Sequence, residues 1–184
     1  MFKVDIEEGL YLHLIEMPHA HDLFTAVHHA RGHLRLWLPW VDSMQTVTDY
    51  QPVIHSWLQQ FADGRGFQAA IRKNDIFAGV VGLHEIDWGS RKTSVGYWLS
   101  DAFTGQGIMT KAVYTVLKIV FEEYQLNRVE VKCGINNHDS QAIPKRLGFQ
   151  YEGIVREGEW LYDHYHDLVQ FSLLREDWYR YHGE

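Results

Sequence analysis

The chain has 184 residues, 46% of them apolar and 22% charged, a formal net charge of −7 and one cysteine. That length suits one domain, over 1–184, and the composition excludes a disordered chain. The acidic balance argues against non-specific nucleic-acid binding, which needs basic patches, and fits a neutral or cationic substrate.

The opening MFKVDIEEGL carries acids and no long apolar run, so it does not read as a signal peptide. No segment approaches the ~20 apolar residues of a membrane span. GLYLHLI (9–15) alternates like a strand, and 19–34 and 46–64 read as helices. Thr46 or Thr48 is placed to cap the second helix, Gly64 to end it, and Pro52 to lie near its first turn or to split it. Strands are predicted at 67–72, 76–87 and 93–100, joined by hairpin-like RKND and WGSRK into an antiparallel meander. A long helix follows, its apolar face built from Ile108, Ala112, Val113, Val116, Leu117, Val120 and Tyr124. RVEVKCGI (128–135) is a strand, DSQAIPKRLGF (139–149) a short helix ended by Gly148, and YEGIVREGEWLY and HDLVQFSLL a final strand pair. The order β, αα, βββ, α, β, α, ββ predicts a mixed α/β, α+β-like domain with a largely antiparallel sheet of six to seven strands flanked by helices.

DAFTGQGIMTKAV, from Asp101, puts Gly105 and Gly107 between a strand and a helix. The first N–H groups of a helix lack internal partners, the helix dipole is positive there, and glycine lets backbone approach a phosphate closely. Thr110 adds a hydroxyl in the first turn. A P-loop needs GxxxxGK[ST], and the spacing is wrong. A dinucleotide fingerprint needs a third glycine, where Thr110 stands, and a first βαβ strand, where a meander precedes.

A third motif fits. The loop resembles the pyrophosphate loop of the GNAT family of N-acetyltransferases, (Gln/Arg)-x-x-Gly-x-(Gly/Ala). VGYWLSDAFTGQGIMTKAV, NNHDSQAIPKRLGFQYEG and HDLVQFSLLREDW fall in that family's order and spacing. The resemblance covers most of 8–178 and is nearest the ribosomal-protein N-terminal acetyltransferase branch, with its GYWL…GQGI and N-x-x-S features. Thr104 stands where many members have Gln or Arg, and Met109 where they have Gly or Ala.

The resemblance implies acetyl-CoA as cosubstrate, no metal, and direct attack of an amine on the thioester without an acyl-enzyme. It implies that main-chain groups of Trp98, Leu99 and Ser100 hold the pantetheine and polarise the carbonyl, and that Thr104, Gly105, Gln106, Gly107, Ile108, Met109 and Thr110 wrap the pyrophosphate. Asn137 would hold pantetheine and Ser140 act as the acid toward the thiolate. The tyrosine acid of many relatives is absent, because Pro144 occupies its place. Glu159, in REGEWLYD, is the first choice for the base, and Glu85 in GLHEID the runner-up, ahead of His84 and His138. Read as architecture alone, Asn137 and Ser140 are helix caps and Glu159 is a solvated hairpin carboxylate.

The acceptor implied is the α-amino group of a protein N-terminus, a ribosomal protein by resemblance. A small amine such as a polyamine or aminoglycoside, and a non-catalytic coenzyme-binding sensor, are the alternatives. His21, His28, His29 and His33 lack a third ligand or an HExxH frame and read as a solvated helix rather than a metal site. Cys133 cannot close an internal disulfide, which points to a reducing cytoplasm, and it reads as a small buried residue. LRLWLPW (34–40) reads as core or as a wall of the acceptor groove. Lys145 and Arg146 read as exposed helix cations rather than phosphate ligands. The final strand pair is a candidate homodimer edge.

Overall fold

A computed structural model describes residues 3–182; the single-domain expectation over 1–184 therefore extends beyond the described residues at both ends. Eight strands form one sheet in the order β1-β2-β3-β4-β5-β6-β8-β7. They are β1 Lys3–Glu7, β2 Leu10–Leu14, β3 Gln68–Lys73, β4 Ile76–Leu83, β5 Lys92–Leu99, β6 Arg128–Gly134, β7 Gln150–Leu161 and β8 His164–Leu174. The helices are α1 Ala20–His29, α2 Arg31–Leu34, α3 Val47–Ala62, α4 Ile108–Lys118, α5 His138–Arg146 and α6 Arg175–His182. Among the described residues every pairing is antiparallel except β5 with β6, which the crossover through α4 makes parallel. None of the described helices is long and apolar enough to cross a membrane.

The mixed class is as expected, with one strand more than the upper count. The extra strand is β1, where Val4 and Ile6 pack on the core between the charged Lys3, Asp5 and Glu7. The helix expected over 19–34 breaks at Ala30, whose ψ of 10° separates α1 from α2. α3 runs unbroken through Pro52 and begins with a capping box, in which Thr46 N donates to the Asp49 carboxylate at 2.7 Å. α6 lies beyond the expected elements; its buried Trp178 packs on Phe121 and Tyr114 at ring distances of 5.5 and 5.2 Å.

The sheet separates two cores. On one face Val113, Val116, Leu117 and Val120 of α4 and the following turn pack on Leu12, Ile71, Val81, Val95, Val131 and Phe171. On the other, Leu23, Val27, Tyr50 and Ile54 of α1 and α3 cover Ala70, Phe77 and Val80. Each fully buried aliphatic side chain is worth roughly 1.5–3 kcal/mol. This double anchoring holds β5 rigid between two layers, and β5 is the strand that ends at the glycine loop.

Candidate active site

The site begins where two parallel strands part. β5 and β6 pair only from Lys92–Ser94 to Arg128–Glu130. β5 then continues to Leu99 bonded to β4, and β6 to Gly134 bonded to β8. Each has its outer edge satisfied, so the facing edges of Val95–Leu99 and Val131–Gly134 form an open wedge. Ser100 N donates to Ala78 O at 2.8 Å and His84 N to Ser94 O at 2.9 Å. The even-numbered residues of β5 therefore turn their main chain toward β4, and the odd-numbered Tyr97 and Leu99 turn theirs toward the wedge.

This corrects two expected contacts. The main chain of Leu99 faces the wedge, but the N–H groups of Trp98 and Ser100 point away from it. Trp98 contributes its indole instead, packed on Trp40 and Phe77 at ring distances of 6.4 and 6.3 Å. Of LRLWLPW, Leu34 and Trp40 join the core, and Trp37 lies beside Gly134 of β6.

The loop beyond β5 is a nest of unpaired donors. Gly105 and Gly107 both have φ of 73°, and a Cβ on either would meet no protein atom within 4 Å. The left-handed backbone, not crowding, selects glycine here. Among the described residues no acceptor faces the N–H of Gly105, Gln106, Gly107, Ile108, Met109 or Thr110; the first bond of the series is Lys111 N to Gly107 O, at 3.1 Å. Six free donors exceed the four that a helix start leaves, and with the dipole of α4 they fit a diphosphate. The side chains of Thr104 and Gln106 staple the loop to Asp101 O and Ala102 O at 2.8 and 3.2 Å. Ile108 and Met109 bury theirs in the core, so their N–H groups are what the loop presents.

α5 closes one side of the wedge. Asn137 is its N-cap, with Oδ1 accepting Ser140 N at 3.1 Å, which leaves Nδ2 as a donor. Ser140 is not a cap: its hydroxyl faces Cys133 Sγ at 3.2 Å and Tyr97 Oη at 3.4 Å. Pro144 lies well inside α5 and has no N–H for Ser140 O, four residues back. The Tyr97 hydroxyl supplies that missing donor, at 2.9 Å. A β5 side chain thereby bolts the start of α5 across the wedge. Burial pushes the Tyr97 phenol well above its ordinary value and also raises the Cys133 thiol, so both keep their protons at neutral pH. Tyr97 escapes a motif search because its partner is created by a proline 47 positions later in the chain.

The opposite face holds Glu159. A bulge between Val155 and Glu159 slips β7 by two residues, so Glu159 rather than Glu157 stands across from His166 of β8. Glu159 Oε2 and His166 Nε2 are 2.9 Å apart, with side chains 35% and 13% exposed. The His166 ring lies over Gly134, where a Cβ would come within 3.2 Å of it and 3.3 Å of Trp37. Tyr162 donates to Leu38 O at 2.6 Å, and Arg35 covers its ring at 4.2 Å, which fastens the Trp37 segment to the β7–β8 turn.

Glu85 does not join this group. It follows Leu83, which stands opposite Val95, so it lies about six residues, roughly 20 Å, along the sheet from the level of Leu99. Its carboxylate is 74% exposed and faces Arg65 at 3.6 Å. Its neighbour His84 keeps solvent exposure with its ring over Gly96, and partial desolvation lowers that imidazole. His138 is exposed on the first turn of α5.

The helical histidines do not converge: His29 and His33 sit on separate helices, and His28 stacks on Phe24 at 5.5 Å. Donor atoms of His13, Glu16 and His19 do lie within 4.8 Å of one another. However, His19 Nδ1 accepts Glu16 N at 3.0 Å, which leaves the proton on Nε2, and the Arg72 charge acts on both imidazoles. That is a poor cation site.

Comparison with known proteins identifies the family. The family model described as "Acetyltransferase (GNAT) domain" matches residues 10–150. YdaF of Bacillus subtilis (strain 168), which bears the name of a ribosomal N-acetyltransferase, is 33% identical over 97% of this chain and 98% of its own. The ribosomal-protein-serine acetyltransferase of Escherichia coli (strain K12) is 26% identical over 93% of this chain and 96% of its own. A crystal structure described as an acetyltransferase superposes with a TM-score of 0.92 at 32% identity, covering 96% of this chain and 99% of that one. A ribosomal L7/L12 α-N-protein acetyltransferase, solved with coenzyme A held in a disulfide to a cysteine, shares the fold with a TM-score of 0.90 at 22% identity, over 94% and 98% of the two chains. The chain belongs to the GNAT acetyltransferase family and is an acetyl-CoA-dependent N-acetyltransferase.

Proposed function

We propose that the protein acetylates the α-amino group of a ribosomal protein's N-terminus by direct attack. The observation that carries the reading is the six-donor nest at the mouth of a wedge that has Ser140 on one side and Glu159 on the other. Acetyl-CoA, when bound, supplies an acetyl thioester whose carbon takes the amine nitrogen as the C–S bond breaks. The main chain from Gly105 to Thr110 holds its diphosphate, and Leu99 and Asn137 Nδ2 hold the pantetheine. Donors aimed from the wedge edge stabilise the carbonyl oxygen as it gains charge. The hydrogen-bonded pair of Glu159 and His166 supplies the base function that removes the proton from the attacking amine, and Ser140 donates to the departing sulfur.

An α-amino group, with an ordinary pKa of about 8, is partly neutral near pH 7 and needs only a modest base, whereas a lysine needs a stronger one. A single half-exposed carboxylate suits the first. The names of the relatives support the ribosomal acceptor. The same reading places the protein in a reducing cytoplasm. It also allows a homodimer along β7, an edge strand that exposes Tyr151, Ile154 and Trp160.

Intact-mass analysis tests the reading. The protein is incubated with acetyl-CoA and a panel of ribosomal N-terminal peptides, N-terminally blocked lysine peptides and a polyamine. One added acetyl on free N-termini is expected. Acetyl found only on lysine or polyamine would overturn the α-amino assignment, and coenzyme binding without product on any amine would point to a sensor.

A further inference from the structure

We propose that His166 is the group that receives the amine proton, and that Glu159 acts on the acceptor only through it; this rests on the acetyl-transfer reading above and assigns the base within it. The strand order β5-β6-β8-β7 puts His166 one strand from the wedge-lining β6 and Glu159 two strands away. At ~4.8 Å per strand, the Glu159 backbone stands about 10 Å from β6. To reach the wedge, its carboxylate would have to pass the imidazole to which it is bonded.

The ring itself has a direction. Nε2 faces outward to Glu159 at 2.9 Å. Nδ1 and Cε1 face inward to Gly134, at 3.5 and 3.2 Å from where a Cβ would be. Gly134 ends the strand that borders the wedge, and its missing side chain lets the imidazole and Trp37 lie directly over β6 there. Among the described residues Nδ1 has no protein partner. It is not sealed in either: the Tyr50 hydroxyl is the only fully buried side-chain polar atom that lacks a partner in that set. A carboxylate on Nε2 selects the tautomer with the proton on Nε2, which leaves the Nδ1 lone pair facing the wedge.

The proton balance is simple. The amine nitrogen bonds the acetyl carbon and the C–S bond breaks. The amine proton passes to Nδ1, and the resulting imidazolium is stabilised by the Glu159 carboxylate. The thiolate takes a proton from the Ser140 hydroxyl, which solvent restores. His166 is then the catalytic base and Glu159 a positioning residue. The groups packed against His166 are Glu159 of β7, Gly134 of β6, Trp37 of the segment after α2, and His164 of its own strand, at a ring distance of 6.4 Å with Nδ1 held by Asp163. Of these, Glu159 alone makes a direct polar contact with the ring.

Two measurements test this. The first uses no coenzyme: long-range ¹H–¹⁵N NMR of the histidine rings of the free protein above neutral pH, with His166 assigned by its loss in His166→Gln. The Nε2–H form is expected, and the Nδ1–H form would overturn the proposal. The second is the pH profile of kcat/KM with an acceptor peptide. His166→Gln should lower it about 100-fold and abolish the acidic limb. Glu159→Gln should cost about 10-fold, carried by kcat with the KM for the peptide within twofold of wild type, because the imidazole is then held less firmly in its Nε2–H form. The double variant should be no slower than His166→Gln. A Glu159→Gln enzyme as slow as or slower than His166→Gln would overturn the proposal, as would an acidic limb that survives in His166→Gln and disappears in His84→Gln. Wild-type protein that acetylates no amine would overturn the acetyl-transfer reading itself, whereas turnover with the Nδ1–H tautomer would overturn only the dyad.

Discussion

Removing one hydroxyl tests how the wedge is held. Tyr97→Phe keeps the ring and deletes the O–H that donates to Ser140 O at 2.9 Å. Pro144 supplies no N–H to replace it, so the half-buried carbonyl is left without a partner. Such a loss costs ~1–2 kcal/mol. At about 2–4 °C per kcal/mol for a chain of this size, the melting midpoint should fall by roughly 2–8 °C. Pro144→Ala restores the helical donor to the same oxygen. It should therefore stabilise the Tyr97→Phe protein by about 1 kcal/mol more than it stabilises the wild type, a coupling that urea titration of the four-member cycle can resolve. A Tyr97→Phe protein with a wild-type midpoint, or an equal gain from Pro144→Ala in both backgrounds, would refute the account of the bolt.

Gly107→Ala places a side chain at φ 73°, which costs ~1 kcal/mol in stability although no protein atom obstructs it. Calorimetry should show coenzyme A binding at least tenfold weaker, and unchanged affinity would remove the loop from the diphosphate site. Ser140→Ala should lower kcat about a hundredfold with coenzyme affinity within twofold of wild type. A wild-type kcat would reduce the hydroxyl to its contact with Cys133. Away from the site, the Arg128 guanidinium lowers the Glu152 carboxyl from 4.5 to about 2, with Ser172 and Gln170 assisting. A depressed folded value means that the stabilisation is complete above pH 4.5 and is lost as pH falls toward 2. With the side chain 33% exposed, solvent screening leaves about 1 kcal/mol. Glu152→Gln should flatten that acid limb in pH-dependent unfolding, and an unchanged limb would assign it to other carboxylates.

The elements and the nest were legible because their causes are local. A helix face repeats every 3.6 residues, a strand face every two, and a left-handed glycine before a helix start needs no distant partner. Asn137 capping, the apolar stripe of α4 and the glycine loop before it all follow from residues within a few positions of one another. β1 and α6 were harder to read because their apolar residues are few, and they are held by packing onto a sheet and core built elsewhere.

Register was the province of the folded chain. Alternation along β5 shows that two sets of main-chain groups exist, but only the bond from Ser100 N to Ala78 O tells which set faces the wedge. A two-residue bulge decides that Glu159, not Glu157, meets His166, and the level of Leu83 against Val95 carries Glu85 away from the chemistry. Tyr97 and Ser140 meet over 43 positions, and Trp37 and His166 reach the same Gly134 from a greater separation still. Sequence by itself therefore determined the class, most of the elements and the left-handed glycine loop ahead of α4, because those depend on near neighbours. Which acids, hydroxyls and imidazoles converge was decided by strand pairing and helix docking, whose geometry no short stretch of chain contains.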